Sequence, residues 1–185
     1  SSASIAAETP APVVHLMDQN GKRFLPDVIA INKGDSIRFP NSDDIRHHVY
    51  SFSVPLTFEL PLYSGEPENP VRFQEAGTVI VGCNIHDRMQ GYIYIVDNAR
   101  YALTINGKAS FAQLPAEALT VTIYHPEAAS EPALSFQLQP GEAANAQAYR
   151  IELKAAMEPD TSKMTELEKK FLQLRHGAHQ PQTTR

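Results

Sequence analysis

Apolar and polar residues alternate along the first half of the chain, in short runs bounded by Pro, Gly, Asn and Asp. From Val13 to Val96 the period is two, as in a β-strand that buries one face. Two runs, ending at Ile31 and Phe39, flank a Lys-Gly-Asp turn. The later runs are Val49 to Ser53, Phe58 to Tyr63, Val71 to Phe73, Thr78 to Cys83 and Gly91 to Val96. This pattern predicts an all-β Greek-key sandwich over residues 13–98.

A second series of apolar runs follows Asp97. Asn106-Gly107 lies between two of these runs, and Asn-Gly in this position is a strong signal for a β-hairpin. The runs are Tyr101 to Ile105, Ala109 to Ala112, Leu119 to Tyr124, Leu134 to Leu138 and Ala148 to Leu153. They predict a smaller β-sandwich over residues 99–155.

The periodicity changes near the C-terminus. Met164, Leu167, Phe171 and Leu174 are spaced as on one face of a helix. This spacing predicts an amphipathic helix over 160–175 that packs on a β-domain, followed by a flexible tail over 176–185. Residues 1–12 are small and Ala-rich and predict a flexible lead.

Composition narrows the functional class. The 185 residues are 42% hydrophobic and include 14 Pro and 9 Gly, as in a turn-rich globular protein. A net charge of −5 argues against a nucleic-acid partner, because such binding needs clustered Lys and Arg. No apolar run approaches the roughly 18 residues of a transmembrane helix. The lead is compatible with a secreted chain whose signal peptide has been removed.

The single cysteine, Cys83, excludes an intramolecular disulfide and lies in the most informative stretch. Cys83, His86 and Met89 supply a thiolate, an imidazole and a thioether within seven residues between two strand-like runs. A second imidazole is available upstream, from His47 or His48. Two His, one Cys and a weak axial Met form the ligand set of a blue-copper electron-transfer site.

Other interpretations of these residues are weaker. A lone Cys is often an inert core thiol, but His and Met at fixed offsets argue against that here. Zinc accepts His and Cys, yet Met is a poor zinc ligand. A Cys-His hydrolase needs an orienting group and an oxyanion hole, for which the sequence gives no signal. The remaining histidines are expected to be surface or hydrogen-bonded residues: His15, His125, His176 and His179.

The spacing Cys83-x-x-His86-x-x-Met89 resembles that of the cupredoxins, the small blue copper proteins, and is most similar to amicyanin. The segment from Phe24 to Asn41 also resembles the opening strands of this family. A closer resemblance is to bacterial methylamine-utilisation or plastocyanin-like proteins, in which a small transthyretin-like or carboxypeptidase-regulatory-like domain follows the cupredoxin domain. Phe111 to Pro126 resembles that second module.

The resemblance implies one type 1 copper site with His47, Cys83, His86 and Met89 as ligands. His48 is the alternative to His47, because Phe52 stands four residues after His48 as a large apolar residue often does after the ligand. The implied function is a periplasmic one-electron carrier that is not an enzyme and exchanges electrons with a cytochrome or a dehydrogenase. The alternative is a copper-binding or sensing module whose second domain docks a partner.

Overall fold

A computed structural model of the chain describes residues 11–97, 100–111, 114, 117–139 and 148–155. These residues form strands, turns and irregular segments, and none of them lies in a helix. None therefore belongs to a helix long and apolar enough to cross a membrane. The chain divides into two compact units, Ser1–Leu114 and Pro115–Arg185.

The described residues of the first unit form ten strands. Their bounds are β1 Val14–Leu16, β2 Asp18–Gln19, β3 Phe24–Leu25, β4 Val28–Asn32, β5 Ser36–Arg38, β6 His47–Ser53, β7 Leu56–Tyr63, β8 Val71–Arg72, β9 Gly77–Cys83 and β10 His86–Val96. They confirm the period-two prediction for this half of the chain, because each predicted run overlaps one of these strands.

Two sheets enclose the core of this unit. Five strands form one sheet in the order β4-β10-β9-β6-β7, and three form another in the order β1-β5-β8. The pairs β4-β10 and β1-β5 are parallel, whereas the remaining pairs are antiparallel. Non-sequential neighbours such as β6 and β9 place loops that are distant in sequence at the same end of the sheet.

The core is made of alternate side chains from both sheets. Val49, Val81 and Ile93 from the larger sheet are fully buried, as is Ile37 from the smaller one. Fully burying one such aliphatic side chain contributes roughly 1.5 to 3 kcal/mol relative to its exposed state. The first unit is thus a β-sandwich, and its alternation of buried and exposed positions is the one read from the sequence.

A tight turn joins β2 to β3, and its backbone contacts the loop that leads to the candidate site. Gly21 and Lys22 both have positive φ, at 63° and 57°, and the Asn20 N–H donates to the Arg23 carbonyl at 3.0 Å. Two consecutive left-handed residues are the signature of a type I′ hairpin turn. Lys22 is one of two non-glycine residues with positive φ in the described part of the chain.

The second unit is less regular than expected. Strands β11 Leu119–Ile123 and β12 Leu134–Leu138 pair in antiparallel fashion, which confirms two predicted runs. Residues 148–153 form no strand and contribute only a bridge between Leu153 and Ala128. A smaller β-sandwich over 99–155 and the domain boundaries remain predictions.

The Asn106-Gly107 turn lies in the first unit. Ile105 and Lys108 exchange backbone hydrogen bonds of 2.9 and 3.1 Å across it, so the predicted hairpin turn forms. The preceding residues 101–104 are not in a strand, because the pairing stops at this one bridge. The predicted helix over 160–175, the tail over 176–185 and the first ten residues of the lead lie outside the described residues.

Candidate metal centre

His47 begins strand β6 and points into the molecule. Its side chain is fully buried, and its register partner on β7 is Tyr63. Successive side chains of a strand point to opposite faces, so His47 and His48 cannot both face the interior. His48 lies on the outer face, where its Nε2 and the Glu59 carboxylate are 2.8 Å apart. His47 and His48 therefore lie on opposite faces of β6.

Cys83 and His86 belong to one hairpin. Cys83 ends β9, His86 begins β10, and the two are directly paired across a turn made of Asn84 and Ile85. The sequence predicted a loop here, and the structure shortens it to this turn because both strands extend into the motif. The turn sets the two ligand atoms close together, with Cys83 Sγ and His86 Nδ1 at 3.5 Å.

The two elements meet at the Cys83 sulfur. His47 Nδ1 lies 3.6 Å from Cys83 Sγ, and the ligand atoms of His47, Cys83 and His86 all lie within 4.8 Å of one another. The imidazole rings of His47 and His86 have centroids 4.9 Å apart at an interplanar angle of 56°. Cys83 is 4% exposed. One buried thiol thus lies between two imidazole nitrogens.

These separations fit a shared metal ion. Bonds of about 2.0 Å to nitrogen and about 2.3 Å to sulfur, the lengths found for Zn²⁺, place nitrogen and sulfur about 3.5 to 3.7 Å apart when their angle at the metal is about 110° to 120°. Both observed distances, 3.5 and 3.6 Å, agree with this requirement. The donor set combines a soft thiolate with imidazole, a pairing that copper accepts in both oxidation states.

Met89 lies three residues beyond His86, in an irregular part of β10. The register of β10 against β9 shifts between His86 and Gln90, which leaves the intervening residues outside regular pairing. Met89 is only 2% exposed and belongs to the same buried cluster as Cys83. The thioether of Met89 is therefore shielded from solvent.

The Asp43 carboxylate contacts Nε2 of His47, whereas the other ring nitrogen, Nδ1, faces Cys83. The distance from His47 Nε2 to Asp43 Oδ2 is 2.7 Å. The hydrogen bond from the Lys22 backbone N–H contributes most to lowering the pKa of Asp43; burial opposes it, and hydrogen bonds from His47 and Gly21 add to it. Burial makes the largest contribution to lowering the pKa of His86, and the charges of His47 and Lys22 lower it further.

Asn41 organises the loop that carries Asp43. Its side-chain amide donates to the Ile45 carbonyl at 2.8 Å and to the Tyr63 carbonyl at 3.0 Å, while its oxygen accepts from the Asp43 N–H at 3.1 Å. Asn41 is 5% exposed. Burial raises the pKa of the neighbouring Tyr63 to about 12, so this phenol stays neutral at physiological pH. The three hydrogen bonds of the Asn41 side chain connect this loop to itself and to β7.

Sequence reasoning did not identify Asn41 or Asp43 as site residues. The one available signal was the Asn-Ser-Asp-Asp run before the histidines, since Asn and Asp favour such capped turns. The other described histidines are hydrogen-bonded as expected. His15 Nε2 and Asp35 Oδ2 are 2.9 Å apart, and His125 Nδ1 accepts from the Glu127 N–H at 3.1 Å. His176 and His179 lie outside the described residues.

A β-sandwich with two imidazoles and one thiol around a common point, and a buried methionine three residues after His86, fits a cupredoxin, as the sequence resemblance implies. The His47, Cys83 and His86 cluster supports a single copper site. His47, Cys83 and His86 would hold the metal through Nδ1, Sγ and Nδ1, because these atoms face one another.

Comparison with known proteins gives structural likenesses alone. No protein-family model and no curated protein matches the chain. A mutant of amicyanin with Cu(I) is 20% identical with a TM-score of 0.42, over 45% of this chain and 82% of that one. A purple cupredoxin from Nitrosopumilus maritimus is 19% identical with a TM-score of 0.40, over 44% and 99%.

A copper-containing nitrite reductase from Thermus scotoductus SA-01 is also similar. It is 24% identical with a TM-score of 0.43, and the match covers 54% of this chain. The matched region is 25% of the nitrite reductase chain.

Proposed function

We propose that this protein is a one-electron carrier that cycles a type 1 copper ion between Cu(I) and Cu(II). The proposed ligands are His47, Cys83, His86 and Met89. The observation that carries the proposal is the position of Cys83 Sγ, buried and 3.6 and 3.5 Å from two imidazole nitrogens. A bound copper ion would supply a one-electron couple at this point.

The protein's contribution is a set of ligands held in place before the metal binds. His47 is fully buried and hydrogen-bonded through its distal nitrogen. Cys83 belongs to a strand in the middle of the five-stranded sheet. Ligands fixed in this way move little between oxidation states, so little reorganisation accompanies each electron transfer. Fast exchange with a partner is the expected consequence.

His86 provides the proposed path to a partner protein. It is the partly exposed member of the three, whereas His47 and Cys83 are buried. Ile85, beside it on the turn, is 51% exposed, and Arg88 is exposed as well. An apolar residue with a charged rim is typical of a small docking surface for a transient partner. The partner we infer is another redox protein, such as a cytochrome or a dehydrogenase.

The proposal makes the protein a carrier and not an enzyme. Two imidazoles, a thiolate and a thioether complete a four-ligand set, whereas a catalytic metal keeps an open position for substrate or water. We place the protein in the periplasm, because the proposed ligand set suits an oxidising compartment. Fractionation of the native host tests this location.

A second candidate is a copper-dependent interaction module. The observation that favours it is the separate compact unit Pro115–Arg185, which a simple carrier does not need. In this alternative the second unit docks a partner, and copper controls the docking without turnover.

Electrochemistry of the full copper-loaded chain distinguishes the two candidates. A carrier shows a reversible one-electron couple and rapid reduction by a cytochrome in stopped-flow experiments. A module shows no fast electron exchange but binds its partner more tightly with copper than without it. An irreversible couple together with slow reduction would overturn the carrier proposal.

A further inference from the structure

We propose that Asp43 is a positioning residue that selects which nitrogen of His47 faces Cys83 and ties that imidazole to the turn between β2 and β3. The copper-related consequences rest on the function proposed above, whereas the selection of the nitrogen is a property of the copper-free chain. The selection of the nitrogen and the copper-related consequences both depend on contacts that the Asp43 carboxylate makes.

One carboxylate receives three hydrogen bonds from two separate elements. Asp43 Oδ1 accepts from the Gly21 N–H at 2.7 Å, and Oδ2 accepts from the Lys22 N–H at 3.0 Å. Asp43 Oδ2 also lies 2.7 Å from His47 Nε2. Gly21 and Lys22 are the two left-handed residues of the type I′ turn, and their N–H groups both donate to the Asp43 carboxylate.

An ionised carboxylate is the side chain that satisfies this arrangement. It offers two acceptor oxygens and no donor, and all three partners here are donors when His47 carries its proton on Nε2. An amide at the same position has one oxygen and an NH₂ group that would face a second donor. Asp43→Asn therefore breaks at least one of the three hydrogen bonds while changing the shape of the side chain very little.

The contact determines the tautomer of His47. With Nε2–H donating to Asp43, Nδ1 keeps a free lone pair, and this lone pair faces Cys83 Sγ at 3.6 Å. In the other tautomer the proton lies on Nδ1 and blocks the atom that would bind a metal. A carboxylate on the distal nitrogen fixes the tautomer and ring orientation of a ligating histidine and makes it a stronger base.

The same contact has a predictable effect on a copper couple. A more basic imidazole and a nearby negative charge stabilise Cu(II) more than Cu(I), so Asp43 lowers the reduction potential. The Asp43 carboxylate also connects His47 to the turn at Gly21 and Lys22. Loss of the carboxylate should loosen both.

The test compares Asp43→Asn with Asp44→Asn, which removes the same charge from the exposed neighbouring residue. In copper-free protein at about pH 9, where an unperturbed imidazole is neutral, ¹⁵N NMR reports the tautomer of His47. The wild type and Asp44→Asn should show Nε2–H as the dominant form. Asp43→Asn should weaken this preference, because a neutral amide oxygen is a poorer acceptor than a carboxylate, and the amide protons of Gly21 and Lys22 should exchange faster.

Copper titration and voltammetry complete the experiment. Asp43→Asn should weaken Cu(II) binding by about 10- to 100-fold and raise the reduction potential, while Asp44→Asn changes both much less. If Asp43→Asn fails to fold, the wild-type tautomer alone decides, because Nδ1–H as the major form of His47 overturns the proposal. An unchanged tautomer in folded Asp43→Asn also overturns it. Failure of the chain to bind copper would contradict the proposed function and leave the tautomer result standing.

Discussion

His47 Nδ1 lies 3.6 Å from Cys83 Sγ although 36 positions separate the two residues in the sequence. The contact exists because β6 and β9 are neighbours in the five-stranded sheet, with Tyr50 paired to Gly82 one residue before Cys83. A long-range pairing of strands therefore builds the site, and local motifs supply only its parts.

Replacing each adjacent histidine separately tests which one serves as a ligand. His47→Ala should abolish tight Cu(II) binding, because it removes a buried nitrogen that faces Cys83. His48→Ala should bind copper like the wild type, because His48 faces outward and pairs with exposed Glu59. Calorimetric titration of both variants measures the difference. The reverse order of affinities would contradict the assignment.

Substitution of Met89 tests the axial position. Met89→Leu conserves volume and should cost less than about 1.5 kcal/mol of stability, although the site is 2% exposed. Copper should be retained with a raised reduction potential, because removal of a weak axial donor destabilises Cu(II) more than Cu(I). Voltammetry checks the shift. A potential equal to that of the wild type would argue that Met89 is not axial.

Close packing behind the site is tested at Gly91. A Cβ added there would lie 3.0 Å from Val81 Cγ2, 3.2 Å from Phe24 Cβ and 3.3 Å from Met17 Sδ. Gly91→Ala should lower the free energy of unfolding by about 1 to 3 kcal/mol, since a filled core does not accept an extra methyl group. Urea denaturation measures this cost.

The control is a double-mutant cycle. Val81→Ala removes the nearest contact, so adding Gly91→Ala to it should cost less than adding Gly91→Ala to the wild type. Equal costs in the two backgrounds would show that the clash with Val81 is not the cause. Gln90→Ala, at the exposed preceding position, should be nearly neutral.

Acid stability should depend on Asp35. Its carboxylate is 4% exposed and accepts hydrogen bonds from the N–H groups of Val13 and Asn32, with His15 Nε2 at 2.9 Å. Burial raises the pKa of Asp35, but these hydrogen bonds and the charge of His15 together hold it below its ordinary value of 3.8. A depressed pKa stabilises the fold above the unfolded-state pKa, and this stability is lost as the pH falls through the folded-state value.

Asp35→Asn should therefore lower the stability at pH 7 by about 1 to 3 kcal/mol and flatten its dependence on pH below about pH 4. Asp44→Asn, at an exposed position, should keep the wild-type dependence. Urea denaturation at a series of pH values gives both quantities. The same slope in Asp35→Asn and wild type would refute the role of this carboxylate.

The first unit was predictable because its strands alternate strictly. Val49 and Val81 are buried where the pattern placed them, and the copper motif from Cys83 to Met89 was visible as a spacing. The choice between His47 and His48 was not predictable from the residues, because either can face inward until the register of β6 is known. Asp43 was missed for the same reason, since its partners Gly21 and Lys22 lie on another hairpin.

The part of the chain after Asp97 was predicted less well. Residues 101–104 and 148–152 have apolar runs but form no strands. A short apolar run forms a strand only if a neighbouring strand is available for hydrogen bonding. The alternation of apolar and polar residues within the run does not predict whether such a neighbour exists. The strand predicted at Leu134, Phe136 and Leu138 is confirmed, because β11 pairs with β12 along its whole length.

The central claim is that the Cys83 thiolate binds one copper ion together with His47 and His86. Optical and EPR spectra of the copper-loaded full chain test it most directly, with Cys83→Ser as the control. We predict an intense visible thiolate-to-copper charge-transfer band and a single type 1 EPR signal in the wild type, both absent in Cys83→Ser. A wild-type spectrum without the band, or a band that survives in Cys83→Ser, would contradict the account.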